Sequence, residues 1–191
     1  MPNSTSGRNN IRNQPLYLPN SYDPAAFNIP EADWRYGGMI GGMTTIVFGA
    51  GTAADPRGSK NIQLVRTDST MTVAPFNGAT AWWKNKLTYQ TTTDPAGRRG
   101  QVAGVYLGPV TPGRLAIIQT GGRHGAVKFI DAPTAAPTAA GLIVIPSATA
   151  GKADALAAGS AATYPAMGTT AGALSGADST AAVDLNIPQV T

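Results

Sequence analysis

Apolar and β-branched residues fall in short runs along this chain, and glycine and proline cut the runs apart. The pattern is clearest from Gln101 to Phe129. Gln101–Leu107 is rich in strand formers. Val110-Thr111-Pro112-Gly113 predicts a turn, because Pro presets φ at one central position and Gly accepts φ > 0 at the next. Arg114–Thr120 predicts a second strand on Leu115, Ile117 and Ile118. Gly121-Gly122 predicts a break, and an extended pattern resumes over Ala126–Ile130. This stretch reads as the middle of a compact antiparallel sheet.

Other runs arrange themselves around it. Met43–Phe48, Lys60–Arg66, Thr70–Ala74 and Leu87–Thr93 have strand composition, with turns at Thr67-Asp68-Ser69, Phe76-Asn77-Gly78-Ala79 and Asp94-Pro95-Ala96-Gly97. Gly141–Pro146 is a continuous apolar run that suits a buried strand. Ser147–Asp154 predicts a turn with Gly151 at its tip. Tyr164–Thr170 and Ala182–Ile187 predict the last strands, the second with the alternation of a half-buried one. Ala153–Ala162 has the residues for a helical turn or two, weakened by Gly159 and Ser160. No segment sustains a 3.6-residue period. The expected fold is mainly β, a compact antiparallel β-barrel or β-sandwich over residues 43–191.

Residues 1–42 predict an extended N-terminal arm. Pro15, Pro19, Pro24 and Pro30 recur too often for a helix or a central strand. Yet the arm carries Leu16, Tyr17, Tyr22, Phe27, Trp34 and Tyr36, more aromatics than a free tail holds. The inference is a chain that lies along another surface and inserts side chains into it. Proline restriction lowers the ordering entropy of such an arm.

Composition narrows the chemistry. Of 191 residues, 13% are charged, 23 are Gly and 15 are Pro, where about a quarter charged is usual. There is no Cys, so no disulfide framework and no cysteine-ligated zinc. Residues 1–130 hold 13 Lys and Arg against 6 Asp and Glu, a balance of +7. Residues 131–191 hold 1 against 4, a balance of −3, and the two sum to the net +4. That asymmetry permits head-to-tail electrostatic matching. The polar start of the chain predicts no secretory signal, and the apolar runs are too short for a spanning helix.

Candidate sites are few. Gly49-Ala50-Gly51-Thr52-Ala53-Ala54 follows a strand in the manner of a dinucleotide fingerprint, but Asp55-Pro56 ends any helix the fingerprint needs. Trp82-Trp83-Lys84 sets aromatics beside a cation, which suits a sugar or base platform or, alternatively, a core plug with an edge cover. Arg98-Arg99 on a turn suits a carboxylate or phosphate partner. The single histidine, His124, stands in a Gly-rich turn, and the carboxylates are scattered in turn contexts. No catalytic group, metal set or cofactor is expected, and the chain reads as a non-enzyme that binds neither nucleic acid nor membrane.

From Ala79 onward the order of segments adds a resemblance. Ala103-Gly104-Val105 opens a strand. Thr111-Pro112-Gly113 precedes an apolar strand ending Ile118-Gln119 and the break Gly121-Gly122-Arg123. Ala140-Gly141-Leu142 leads to Ile145-Pro146-Ser147 and the tip Ala150-Gly151-Lys152. Pro165-Ala166-Met167-Gly168 precedes a loop and Val183-Asp184-Leu185. In this order the chain resembles the Gly/Ala/Thr-rich β family of tailed-bacteriophage capsid decoration, or cement, proteins. The resemblance implies a β unit that forms a homo-oligomer, with a trimer favoured, and binds the major capsid protein on the outside of an assembled shell. It also implies synthesis in the host bacterial cytoplasm and a final place on the virion surface. The long aromatic arm is a departure from the short family members. Partner contact is expected from Leu16, Tyr17, Tyr22, Phe27, Trp34 and Tyr36, then Trp82, Trp83, Arg98 and Arg99. The alternatives are a tail or baseplate component, a receptor- or glycan-binding module on Trp82-Trp83, and a hydrolase using His124.

Overall fold

A computed structural model describes residues 28–30, 40–47, 59–96, 101–135, 137–138, 140–157, 159–162, 164–175 and 179–188. No helix occurs among them. The strands are β1 (Ile29–Pro30), β2 (Met43–Val47), β3 (Ser59–Thr67), β4 (Thr80–Asn85), β5 (Gln90–Thr92), β6 (Val102–Tyr106), β7 (Arg114–Lys128), β8 (Ile143–Pro146), β9 (Ala153–Leu156), β10 (Gly168–Thr170) and β11 (Thr180–Asn186). Five of them, in the order β3-β5-β4-β6-β7 and back to β3, close a barrel. All its pairs are antiparallel except β3 with β5. Beyond the barrel, β7 continues into β11, β10, β8 and β9.

Strand alternation, interrupted in β6 where the register against β4 passes over Ala103, sorts the apolar residues into three cores. The barrel interior holds Val65 of β3, Ala81 and Trp83 of β4, Ala103 and Tyr106 of β6, and Ala116 and Ile118 of β7. Trp82, Val102 and Val105 face outward on one wall and pack with Phe129, Val144, Met167, Val183 and Leu185 of the C-terminal part. Ile62 and Leu64 of β3 and Leu115 and Ile117 of β7 face outward on the opposite wall, where Ile40 joins them.

Four expectations change. The Gly121-Gly122 break is instead a bend inside one strand of 15 residues. Gly122 takes a φ of 78°, and the register against β3 slips so that Thr120 is passed over. The slip hands β7 from β3, which it pairs up to Gly121, to β11, which it pairs from Gly121 onward. Thr70–Ala74 is not a strand. Asp68 accepts hydrogen bonds from the Thr70 N–H (3.0 Å) and hydroxyl (2.9 Å), and local bonds of this kind compete with a ladder. Leu87–Tyr89 belongs to a turn, so the strand expected over Leu87–Thr93 shortens to β5. The Ala-rich run contains β9, which pairs β8 as a hairpin about Gly151. The Gly49–Ala54 segment lies outside the described residues.

One glycine allows a close approach between the turn before β4 and the far part of β7. Gly78 takes a φ of 83°, and a Cβ there would stand 1.9 Å from the Ala126 carbonyl oxygen. Only glycine lets the turn before β4 lie this close to β7. The Gly78 N–H donates to Tyr106 O (2.9 Å) and the Lys128 N–H donates to Gly78 O (3.0 Å).

Candidate partner-binding surface

The N-terminal arm enters the described structure at Asn28, and its first act is to clamp itself onto β7. The Asn28 carboxamide oxygen accepts the Thr111 N–H (3.1 Å), and its amide nitrogen donates to the Thr111 hydroxyl (3.3 Å). Arg114 Nη1 donates to the Asn28 carbonyl (3.2 Å). Ile29 then pairs Leu115 and Pro30 pairs Arg114. Proline has no N–H to give a ladder, so it suits the end of a two-residue edge strand. The turn that receives Asn28 is itself fixed. Gly113 takes a φ of 85°, the Arg114 N–H donates to Thr111 O (3.2 Å), and the Thr67 hydroxyl donates to Arg114 O (2.7 Å).

Ile29 packs, half-buried, on the wall of Ile62, Leu64, Leu115 and Ile117, and Ile40 is buried on the same wall. The Gly41 N–H donates to Leu64 O (2.7 Å), the Leu64 N–H donates to Gly42 O (3.1 Å), and Gln63 Nε2 donates to Gly41 O (3.1 Å). Gly41 has a φ of 86°, and a Cβ there would lie 2.4 Å from the Tyr89 ring. Residues 28–30 and 40–42 of the arm therefore dock on their own domain. Ile29 and Ile40 thereby complete the cover of the domain's outer wall.

Trp82 and Trp83 are both expected partner residues, and the structure corrects that expectation. Trp82 is fully buried, its ring 5.3 Å from Tyr164 and edge-on to it, in the C-terminal core. Trp83 is buried in the barrel interior and meets Tyr89 edge-on at 6.2 Å. Adjacent residues on a strand face opposite ways, so two neighbouring indoles fill two cores and neither offers a face to a sugar or a protein. Leu16, Tyr17, Tyr22, Phe27, Trp34, Tyr36, Arg98 and Arg99 lie outside the described residues.

The titratable groups act as locks. Asp68 is buried and pairs with Lys84, whose ammonium also donates to the Thr70 hydroxyl (3.1 Å). Burial opposes its charge, but Lys84 and Thr70 outweigh burial and hold the carboxyl below the usual carboxylate range. Asp94 accepts hydrogen bonds from the Thr72 N–H (3.1 Å) and hydroxyl, which ties the loop before β4 to the end of β5. Asp184 accepts two hydrogen bonds from Arg123, at 2.8 and 2.9 Å, across β7 and β11. Arg123 lowers its pKa against a smaller effect of burial. Burial pushes the Tyr106 phenol well above its ordinary range, and its hydroxyl donates to Thr91 (2.8 Å). His124 is buried, and its Nδ1 accepts the Ala126 N–H (3.2 Å), which stabilises the bulge where β7 meets β11. No group of three or more His, Cys, Asp or Glu suited to a metal occurs among the described residues.

Sequence reasoning counted Ile29 among the apolar side chains of the arm but missed Asn28, Ile40 and Arg114 as residues of this seam. The available signal was Asn28-Ile29-Pro30, an amide side chain before an apolar residue and a proline. The chain matches no protein-family model, no curated protein and no solved structure.

Proposed function

We propose that this chain is a non-enzymatic structural protein of a phage virion that binds and stabilises the assembled capsid. The observation that carries the reading is the Asn28 clasp. It ties the arm to a sheet edge through side-chain hydrogen bonds and one apolar anchor. The apolar anchor Ile29 has counterparts in Leu16, Tyr17, Tyr22 and Phe27 of the 27 residues before the clasp, which suit pockets on neighbouring capsid subunits. A protein that binds assembled subunits and not free ones stabilises the assembly by mass action. Several weak anchors on one tethered chain add through effective concentration. Polar side chains spent on turns and cross-strand ties, as at Asp68, Asp94 and Asp184, fit a protein that works through surfaces.

The test is a chain lacking residues 1–27, which keeps the clasp and the covered wall. The truncated protein is expected to fold and melt as the full chain does, and to lose binding to assembled shells in a co-sedimentation assay. Shell binding as tight as that of the full chain would sink the role given to the arm.

A further inference from the structure

Asn77 precedes Gly78, and no other Asn in the chain precedes a Gly. Phe76-Asn77-Gly78-Ala79 is a turn closed by the Ala79 N–H, which donates to Phe76 O (3.0 Å). Gly78 supplies the positive φ, 83°, that a type II turn needs at its third residue. Asn77 is exposed, and its carboxamide makes no hydrogen bond with the described residues. Asn85, in the turn between β4 and β5, is the opposite case. Its Oδ1 accepts the N–H groups of Leu87 (3.0 Å) and Thr88 (3.3 Å), and it precedes Lys86.

An Asn side chain before a Gly is an electrophile beside an unhindered nucleophile. Once hydroxide removes its proton, the Gly78 nitrogen can attack Asn77 Cγ. The new N–Cγ bond closes a succinimide, the Cγ–Nδ2 bond breaks, and Nδ2 takes protons from solvent and leaves as ammonia. Water then opens the ring. Breaking the bond to Cγ leaves aspartate. Breaking the original peptide bond leaves isoaspartate, whose backbone runs through Cβ and Cγ and is one atom longer. The folded protein withholds the nucleophile. Gly78 is buried, and its N–H donates to Tyr106 O (2.9 Å). The Tyr106 N–H donates to Ala79 O (2.9 Å), and the Lys128 N–H donates to Gly78 O (3.0 Å). The turn is thus tied to β6 on one side and to the far part of β7 on the other. A bonded, buried amide meets base only when the structure around it opens.

We infer that Asn77 is a latent deamidation site, silent while Gly78 is clamped between Tyr106 and Lys128 and reactive once that clamp opens. The two products then part ways. Aspartate keeps the length of the turn and adds a charge at an exposed position, so the clamp re-forms. Isoaspartate shifts Gly78 by one backbone atom, where a Cβ on Gly78 would already stand 1.9 Å from the Ala126 carbonyl oxygen. The clamp has no room for that shift, and the isoaspartyl chain opens more readily than before. Each opening that ends in isoaspartate therefore makes the next one easier. The inference rests on the fold and not on the capsid reading.

Ageing the full chain at mildly alkaline pH, in native buffer and in concentrated urea, with peptide mass spectrometry at Asn77, tests this. Asn77 deamidates in urea, and at least about a hundredfold more slowly in native buffer, as an amide does that reacts only from an opened state. The urea-aged chain is then returned to native buffer and given a pulse of protease at a urea concentration near its midpoint, which spares folded molecules. Isoaspartate, detected by isoaspartyl methyltransferase labelling, is depleted from the spared pool about fivefold or more relative to aspartate, as expected for the loss of one buried, hydrogen-bonded turn. A directly made Asn77→Asp chain melts like the wild type. Native deamidation within about threefold of the rate in urea overturns the inference. So do isoaspartyl chains that survive the pulse as well as aspartyl ones, or an Asn77→Asp chain that melts well below the wild type.

Discussion

The barrel has two outer walls, and the chain covers them by different means. On one wall, Trp82, Val102 and Val105 lie under strands β8 to β11, which are joined by backbone ladders and carry Val144 and Val183, with Phe129 just after β7 and Met167 just before β10 in the same core. On the other, Ile62, Leu64, Leu115 and Ile117 lie under Ile29, Ile40 and Tyr89, brought there by a two-residue strand, a glycine pair and a turn. The first cover is bound along its length and is part of the global fold. The second is held at a few points, by short stretches of backbone pairing and a few side-chain hydrogen bonds. Regions with few buried contacts and short ladders open at lower free energy than the core. The apolar residues underneath are of one kind, so the difference lies in how the cover is fastened.

The largest effect is expected where the fastening is continuous. Phe129→Ala removes a fully buried ring between β7 and β9 and is expected to cost about 3–5 kcal/mol. Chemical denaturation should show one transition at lower denaturant. A wall that melts separately from the barrel would break the comparison. Ile40→Ala is expected to cost about 2–3 kcal/mol, and hydrogen exchange should accelerate first at the Gly41 and Leu64 amides, which the arm protects. Exchange that rises equally over all strands would mean that this cover, too, belongs to the global fold.

A pH series sharpens the contrast, because Asp68 braces the barrel itself rather than either cover. Its folded pKa lies below the unfolded value of about 3.9. Its contribution is therefore fully present above the unfolded value and is lost as pH falls through the folded one. Asp68→Asn is expected to cost about 1–2 kcal/mol near neutral pH and progressively less in acid. A constant difference between the two proteins down to low pH would assign the effect to packing instead. Asn28→Ala is the smallest change, about 1 kcal/mol or less in global stability. Its mark is local: faster exchange of the Thr111 amide, with the melting temperature nearly unmoved.

Much of the architecture was legible because it rests on alternation and turns. Leu115, Ile117 and Ile118 announced β7, and Thr111-Pro112-Gly113 announced the turn before it. The errors came where a side chain or a glycine acts against the pattern. Gly121-Gly122 bends a strand without ending it, because ladders on both sides carry the strand through. Asp68 and Asn85 capture the backbone of Thr70 and Leu87, and composition does not show which local carboxylate or amide will do so. The seam was hidden for another reason. Asn28 and Thr111 stand 83 positions apart in the chain, and no local pattern encodes their meeting. The pair Trp82-Trp83 stood open between a surface platform and a core plug with an edge cover because the sequence shows adjacency, whereas a strand turns adjacency into opposition.

That opposition gives the protein two built-in lamps. Trp82 lights the layer between barrel and C-terminal strands, and Trp83 lights the barrel lumen. With Trp34 and one of the pair replaced by Phe, the remaining indole emits from a single compartment. Its spectral shift on denaturation then times the loss of that compartment alone. Two such chains would read out the order in which layer and lumen take up water.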